Sequence, residues 1–489
     1  MSGRPARDVF WSAVEAAASA GFSLASALVV ARIIGPAELG VGAAVVAVNV
    51  LLWVGVNALF ADAMVQRATL DETAAASAFW ASSLVGAGAA LAEAGSAWPL
   101  AWVIGDKRLI GMSLLLAATL PIVGAAGAAQ GRITRRRGYR LLACRALLCQ
   151  GAGTVVGIGC AMAGAGAWGM AAQQATTSIA GALTLLLGGG WRPGLICRWA
   201  PVWDMLRLGA PLTASTLVQS GRYRLFALLI GGTAGTTALG EVHLAFRLVD
   251  TVRELAFTAL WRLMLPGMAE QQNDRAALRY SVDRWLRSAG LVVFPVFAGM
   301  AVTVQPLTHW LLGVAWAGSA LAALPLIALS AWLFLSYPAG VAAVARAAPQ
   351  YALRGNLISC AVLVAAVAVL RPESALSAAL VWLGAQVVAT PYMLHRNARV
   401  LGAGAVQCMW AGFLPLALAA SVGCGALLAT SLAGVATPFL LLMTRGTCYV
   451  MLLVAAVIVL RLAGTGWSSW PEIFRPPVAL LVAAKENRE

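Results

Sequence analysis

The chain has 489 residues, of which 61% are hydrophobic and 11% charged, and 34 Lys and Arg against 19 Asp and Glu give a net charge of +15. A soluble domain is about one quarter charged, so these proportions, with a mean hydropathy of +0.83, exclude an ordinary water-soluble fold. The basic excess does not call for nucleic acid, because arginine gathers in alternate gaps between apolar stretches, as the positive-inside rule requires of a membrane protein.

Those apolar stretches recur about fourteen times, each about twenty residues long and so able to cross the hydrocarbon core as a helix. They predict an all-α polytopic membrane protein. The spans begin near Val9, Leu39, Ala74, Leu109, Leu141, Trp168, Leu208, Leu239, Trp285, Trp316, Tyr351, Leu376, Val406 and Thr437. The first follows Arg4 and Arg7, and its run from Val9 to Ile34 is too long for a signal peptide's apolar core, so it reads as a permanent helix with a cytoplasmic N-terminus. Inner loops carry Arg67, the cluster from Arg132 to Arg140, Arg192, Arg198 and Arg207, and later Arg275, Arg279, Arg284 and Arg287. Outer loops carry little: Arg32, Lys107, Arg108 and Arg371. Arg475, Lys485 and Arg488 put the C-terminal tail inside as well. The longest soluble stretch expected is cytoplasmic, from about Gly267 to Arg284.

Residues 191–207 interleave Trp191, Trp199 and Trp203 with arginines and prolines, and read as an elbow on the inner membrane surface. A weak internal likeness flanks it. Ile33-Ile34-Gly35-Pro36 leads to Leu39-Gly40, and Leu229-Ile230-Gly231-Gly232 leads to Leu239-Gly240. The expected organisation is a six-helix lobe over 1–190, the elbow, a second pseudo-symmetric six-helix lobe over 208–394, two further helices over 395–463 and a tail over 464–489, with a site between parallel repeats.

Charged side chains inside a span are costly and mark an aqueous cavity or an ion pair. In the eighth span His243, Arg247, Asp250 and Glu254 are spaced four, three and four, so they share one stripe of a helix that is otherwise apolar. That stripe fits a wet transport face; the structural alternative pairs Arg247 with Asp250, or Asp250 with Arg253, along the helix. In the seventh span Ser215, Gln219 and Arg222 align, with Tyr223 and Arg224 beside them. Glu15, Ser19 and Ser26 align in the first span, and Arg445 lies in the last. Arginine exceeds carboxylate in the second lobe's spans, which suits an anion. His243 could titrate near neutral pH or serve as hydrogen-bonded scaffold. The eight cysteines form no CxxC pair, so neither a disulfide framework nor a metal site is expected, and no cofactor. No phosphate-binding Gly loop with Lys, HExxH or GxSxG occurs, so no enzyme is expected.

The stretch Ala31-Arg32-Ile33-Ile34-Gly35-Pro36-Ala37-Glu38-Leu39-Gly40 resembles the start of polysaccharide transporters of the Wzx type, in the multidrug/oligosaccharidyl-lipid/polysaccharide (MOP) exporter superfamily. Phe60-Ala61-Asp62-Ala63-Met64-Val65-Gln66-Arg67 resembles the close of that family's second helix, Leu206-Arg207-Leu208-Gly209-Ala210-Pro211-Leu212 the start of its seventh, Leu265-Pro266-Gly267-Met268-Ala269 its exit from the eighth, and Leu312-Gly313-Val314-Ala315-Trp316 its Gly-x-x-Trp loop. Leu39 replaces an aromatic, and Tyr223 stands where the family often has Asp. The resemblance implies a flippase that moves undecaprenyl-pyrophosphate-linked oligosaccharide repeat units to the periplasmic leaflet of the bacterial inner membrane, for exopolysaccharide or O-antigen (lipopolysaccharide) biosynthesis. Its implied partners are the lipid-linked oligosaccharide, membrane lipids, a polysaccharide polymerase and a chain-length regulator. Arg222, Arg224, Arg247 and Asp250 are the leading site candidates, followed by Glu15, Gln219, His243, Glu254 and Arg445. An ion-coupled small-molecule exporter of the same superfamily and a membrane polysaccharide polymerase or ligase are the alternatives.

Overall fold

The computed structural model describes residues 3–67, 70–346, 350–432 and 437–462, with the backbone alone described for 3–20, 212, 215, 350–353 and 460–462. Among the described residues the chain is all-α: α1 Gly3–Gln66, α2 Glu72–Ile104, α3 Arg108–Ala117, α4 Leu120–Arg135, α5 Tyr139–Met162, α6 Trp168–Gly188, α7 Trp199–Thr233, α8 Gly235–Glu270, α9 Arg275–Leu312, α10 Ala317–Ala345, α11 Gln350–Leu370, α12 Ala375–Leu401, α13 Gln407–Ser431 and α14 Pro438–Leu462, with one 3-10 turn at Val314–Trp316. Nine segments of the described residues are long and apolar enough to cross a membrane. Large apolar side chains face outward, as a lipid-facing surface requires. On α2 Leu84 is 74% and Leu91 76% exposed, and Trp102 near its end is 84% exposed.

Two boundaries differ from the sequence expectation, each for a local reason. The first two expected spans, taken together as α1, are two helices that meet at Gly35, whose φ of 79° and ψ of 172° leave helical space. Pro36 cannot donate to the Arg32 carbonyl, so the kink sits at the Gly-Pro pair. The span expected from Leu109 is broken into α3 and α4, because Pro121 cannot donate to Ala117. The Thr119 hydroxyl donates to the Leu116 carbonyl there at 2.7 Å. The stretch 267–284 is mostly helix. Only 271–274 interrupt it, and Asp274 caps α9 by accepting from the Ala276 and Ala277 amides at 2.8 and 3.0 Å.

The chain forms two compact units, residues 1–244 with 367–375, and residues 245–366 with 376–489. In the first, α1 packs on α4, α5 and α7, α2 on α4, and α5 on α6. Gly235 at the start of α8 has φ +84°, the counterpart of Gly35, and five residues after each comes a second glycine. Gly40 and Gly240 meet backbone to backbone: a Cβ on Gly40 would lie 3.0 Å from the Gly240 amide nitrogen, and one on Gly240 2.9 Å from that of Gly40. The segments that resemble each other in sequence therefore touch at the same glycine, the close approach that small residues permit between membrane helices.

Polar clamps close both ends of this unit. At one, Arg108 reaches Glu38 through two hydrogen bonds of 2.8 and 3.0 Å and also holds Asp106. Glu38 accepts in addition from the Ala167 amide at 2.8 Å. Asp106 lies in the turn between α2 and α3, and the Arg108 guanidinium holds its carboxyl below the usual carboxylate range, outweighing its partial burial. At the other end Arg132 forms a forked pair with Glu72, the Trp191 indole donates to Glu72 at 3.0 Å, and the Arg132 guanidinium sits 4.9 Å from the Trp191 ring centre. The elbow is thus tied to the start of α2. The Trp80 indole donates to the Gly194 carbonyl at 3.0 Å, and the Arg198 amide to the Ser77 hydroxyl at 2.9 Å. Trp199 and Trp203 stack beyond it, both exposed.

In the second unit α9 packs on α10, α13 and α14. Phe294 meets Phe334 edge to face, and the Tyr449 hydroxyl donates to the Pro295 carbonyl at 2.7 Å, across Gly299.

Candidate functional site

The apolar residues of α8 explain its orientation. Val242, Leu244, Ala245, Phe246, Leu248 and Val249 are buried, and Phe246 packs edge to face on Trp382 at 5.1 Å. Burial of those side chains leaves the intervening stripe accessible: His243, Arg247 and Asp250 are half-buried and Glu254 is exposed. Asp250 pairs with Arg253 one turn on, at 2.9 Å. This is one of the two intrahelical pairings expected from spacing.

The stripe does not stop at Glu254. Phe257, Thr258 and Trp261 continue it at the same three- and four-residue steps, and Arg253 and Arg262 flank it. Within the second unit these residues and Tyr337 of α10 line a cavity of about 330 Å³. Tyr337 fixes the wall: its hydroxyl donates to the Phe257 carbonyl at 2.8 Å and its ring lies 4.5 Å from that of Phe257. The pocket combines two guanidinium groups, one carboxylate and three aromatic rings. Guanidinium forks suit phosphate oxygens, and aromatic faces suit the C–H faces of sugars. Arg253, Arg262, Trp261 and Tyr337 are absent from the sequence-derived candidates. The signal for Trp261 was the continuation of the helical period past Glu254, and for Arg253 and Arg262 their places beside that stripe; Tyr337 comes from another helix and had none.

On α7, Arg222, Tyr223 and Arg224 are half-buried and Gln219 is exposed, while the Ser215 side chain lies outside the described atoms. The Arg224 guanidinium donates to the Ser220 carbonyl of its own helix at 2.5 Å. The Tyr223 hydroxyl and His243 Nδ1 share a hydrogen bond of 2.9 Å, so the residue that replaces the family's Asp is the one that meets α8. Arg445 stands on α14, which packs on α9 and α13, and its Nε is buried with no hydrogen bond to a described residue. The Glu15 side chain lies outside the described residues.

A second polar constellation, in the first unit, was not anticipated. Glu93 of α2 is fully buried, and its Oε2 accepts from the Asn49 amide of α1 at 2.9 Å. Gln174 of α6 donates to Asn49 at 3.3 Å. Glu93 Oε1 makes no hydrogen bond to a described residue. A carboxylate within the apolar run Leu91-Ala92-Glu93-Ala94 was the sequence signal.

Lipid-facing apolar helices around buried polar clusters define a polytopic helical membrane protein. The chain belongs to the family described as "Polysaccharide biosynthesis protein", which matches residues 29–321, in keeping with the Wzx-type resemblance. It is 22% identical over 312 residues to "Succinoglycan biosynthesis transport protein ExoT" of Rhizobium meliloti (strain 1021), covering 64% of this chain and 63% of that protein. It is 27% identical over 126 residues to "Lipopolysaccharide biosynthesis protein WzxC" of Escherichia coli (strain K12), covering 26% of each. The chain thus matches less than two thirds of either relative's length. In fold it is similar to the "Lipid II flippase MurJ, inward closed conformation", with TM-score 0.75 at 11% identity over 92% of this chain and 98% of that one. It is also similar to an inward-facing multidrug resistance MATE family transporter of the MOP superfamily, with TM-score 0.56 at 16% identity over 84% and 95%.

Proposed function

We propose that this protein is a flippase that carries the polar head of an undecaprenyl-pyrophosphate-linked oligosaccharide across the bacterial inner membrane, from the cytoplasmic to the periplasmic leaflet, for exopolysaccharide or lipopolysaccharide assembly. A pyrophosphate and its sugars cannot cross hydrocarbon unaided, whereas the polyprenyl tail is at home there. The protein's task is to shelter the head in a polar chamber while the tail stays in lipid. The observation that carries this reading is the α8 pocket, where guanidinium groups and aromatic rings share one wall inside a helical bundle. Arg253 and Arg262 hold the pyrophosphate, Phe257, Trp261 and Tyr337 face the first sugar, and Arg222, Arg224, Arg247 and Asp250 are further contacts for the polar head. Both termini lie in the cytoplasm, about fourteen spans cross the membrane, and movement follows alternating access. A polymerase and a chain-length regulator receive the product on the periplasmic side. The names of the two polysaccharide-biosynthesis relatives and the flippase fold support the substrate class.

The test is complementation of a deletion strain. Wild-type protein restores surface polysaccharide, and an Arg253→Ala/Arg262→Ala double variant at equal membrane level restores at most about a tenth of it, since each lost charge-assisted bond costs roughly 1.5–3 kcal/mol. Full restoration by the double variant removes the pocket from the mechanism. Restored drug resistance with no effect on polysaccharide would favour the small-molecule exporter.

A further inference from the structure

The first unit holds a separate cavity of about 230 Å³, walled by α1, α4, α5 and α6. Its polar lining comes from Asn57, Arg145, Gln150, Gln174, Thr177 and Ser178, with Trp53 as its aromatic member. Three helices, α1, α5 and α6, turn amides and hydroxyls toward one space against the cost of burying them, so the space is built for something polar.

The chemistry of the wall selects the occupant. Among the described residues the one charged side chain lining the cavity is Arg145, and its Nη1 donates to Gln130 Oε1 at 3.0 Å. Among the described residues no carboxylate lines the cavity. Amides and hydroxyls both donate and accept, the demand that sugar hydroxyls make. Two of the amides are set for a guest. The Gln150 amide makes no hydrogen bond to another described residue. Gln174 is held through its Nε2 by Asn49, itself anchored on Glu93, which leaves the Gln174 carbonyl oxygen to accept from the cavity. The volume equals that of roughly seven or eight waters, the scale of one pyranose ring.

We infer that this cavity binds a single uncharged sugar ring, with Gln150, Gln174 and Asn57 hydrogen-bonding its hydroxyls and Trp53 covering a C–H face. The assignment rests on the proposal that the transported head is a saccharide, and it adds a sugar-recognition site in the first unit, built from none of the α7 or α8 residues.

Saturation-transfer NMR on the purified full-length protein in detergent tests it, with D-glucose, D-galactose and D-glucuronate as probes. Transfer to the ring protons of at least one neutral hexose is expected, stronger than to glucuronate. Gln150→Leu should weaken that transfer by about fivefold or more, the effect of losing one to two hydrogen bonds. Gln150 has no bond within the described protein to lose, so the variant should fold. The near-isosteric Thr177→Val gives a second reading, expected to weaken transfer in the same direction. Binding of inorganic pyrophosphate, followed in parallel, should be unchanged in both variants. Equal transfer in wild type and both variants, or none to either neutral hexose, overturns the assignment and leaves a water-filled packing cavity. Absence of pyrophosphate binding to the wild type would instead count against the flippase reading, with the sugar result standing alone.

Discussion

Replacing Gly240 by alanine adds one methyl group where α8 crosses α1. The added carbon would lie 2.8 Å from the Pro36 carbonyl carbon and 2.9 Å from the Gly40 nitrogen, whereas ordinary van der Waals contact begins at 3.4 Å. The Pro36 carbonyl oxygen lies nearer still, and all three atoms are backbone, so no rotamer change relieves the clash and the helices must part by about an ångström or more. Overpacking of this kind costs about 1–3 kcal/mol, a shift of about five- to 150-fold in the folding equilibrium. Thermal unfolding of the detergent-solubilised protein, followed by labelling of the buried thiols Cys149 and Cys408, reads the change. Gly159→Ala is the control. A Cβ there meets nothing within 4 Å, so the helix-favouring alanine should leave stability unchanged or raise it by up to about 1 kcal/mol. Gly40→Ala should resemble Gly240→Ala, and the double variant should cost less than the sum, because one separation of the helices relieves both clashes. Unfolding of Gly240→Ala at the wild-type temperature would refute the close approach.

Glu93→Ala leaves the buried Asn49 amide without its acceptor and should cost about 1–3 kcal/mol, whereas Glu93→Gln keeps an acceptor oxygen and should cost less; chemical denaturation of the two variants separates them. Asp106 is held below its unfolded value, so its contribution is present above the unfolded carboxylate pKa and disappears as pH falls through the folded one. The wild type should therefore lose stability below about pH 4, and Asp106→Asn should flatten that acid limb, by no more than about 1 kcal/mol because the clamp is solvent-exposed. Glu72→Ala removes the acceptor shared by Arg132 and Trp191, and limited trypsin digestion should then cut after Arg198 a few times faster than in the wild type. Tyr223→Phe deletes the α7–α8 hydrogen bond to His243 and should cost about 0.5–1.5 kcal/mol in the same denaturation assay.

Much of the helical architecture was legible in the sequence, because a bilayer imposes a length and a polarity on each span that composition alone reveals. The polar stripe of α8 was legible too, since a helix has a fixed period and Asp250 and Arg253 needed only that period to find each other. Residues that meet across helices were not. Periodicity along one segment carries no information about which neighbour lies beside it. Tyr337 reaches Phe257 from eighty residues away, and Asn49, Glu93 and Gln174 converge from α1, α2 and α6. The sequence could mark Glu93 as a charge in an apolar run, but only its neighbours show that it anchors an amide chain.

The sequence by itself determined that this protein is a helical membrane protein, where its helices run and which face of α8 is polar, because those properties follow from hydropathy and a 3.6-residue repeat. Tertiary structure decided the rest: which glycines touch, which guanidinium groups are already engaged and where cavities remain. Such matters depend on side chains brought within a few ångströms by packing between helices, and no local rule along the chain encodes that distance.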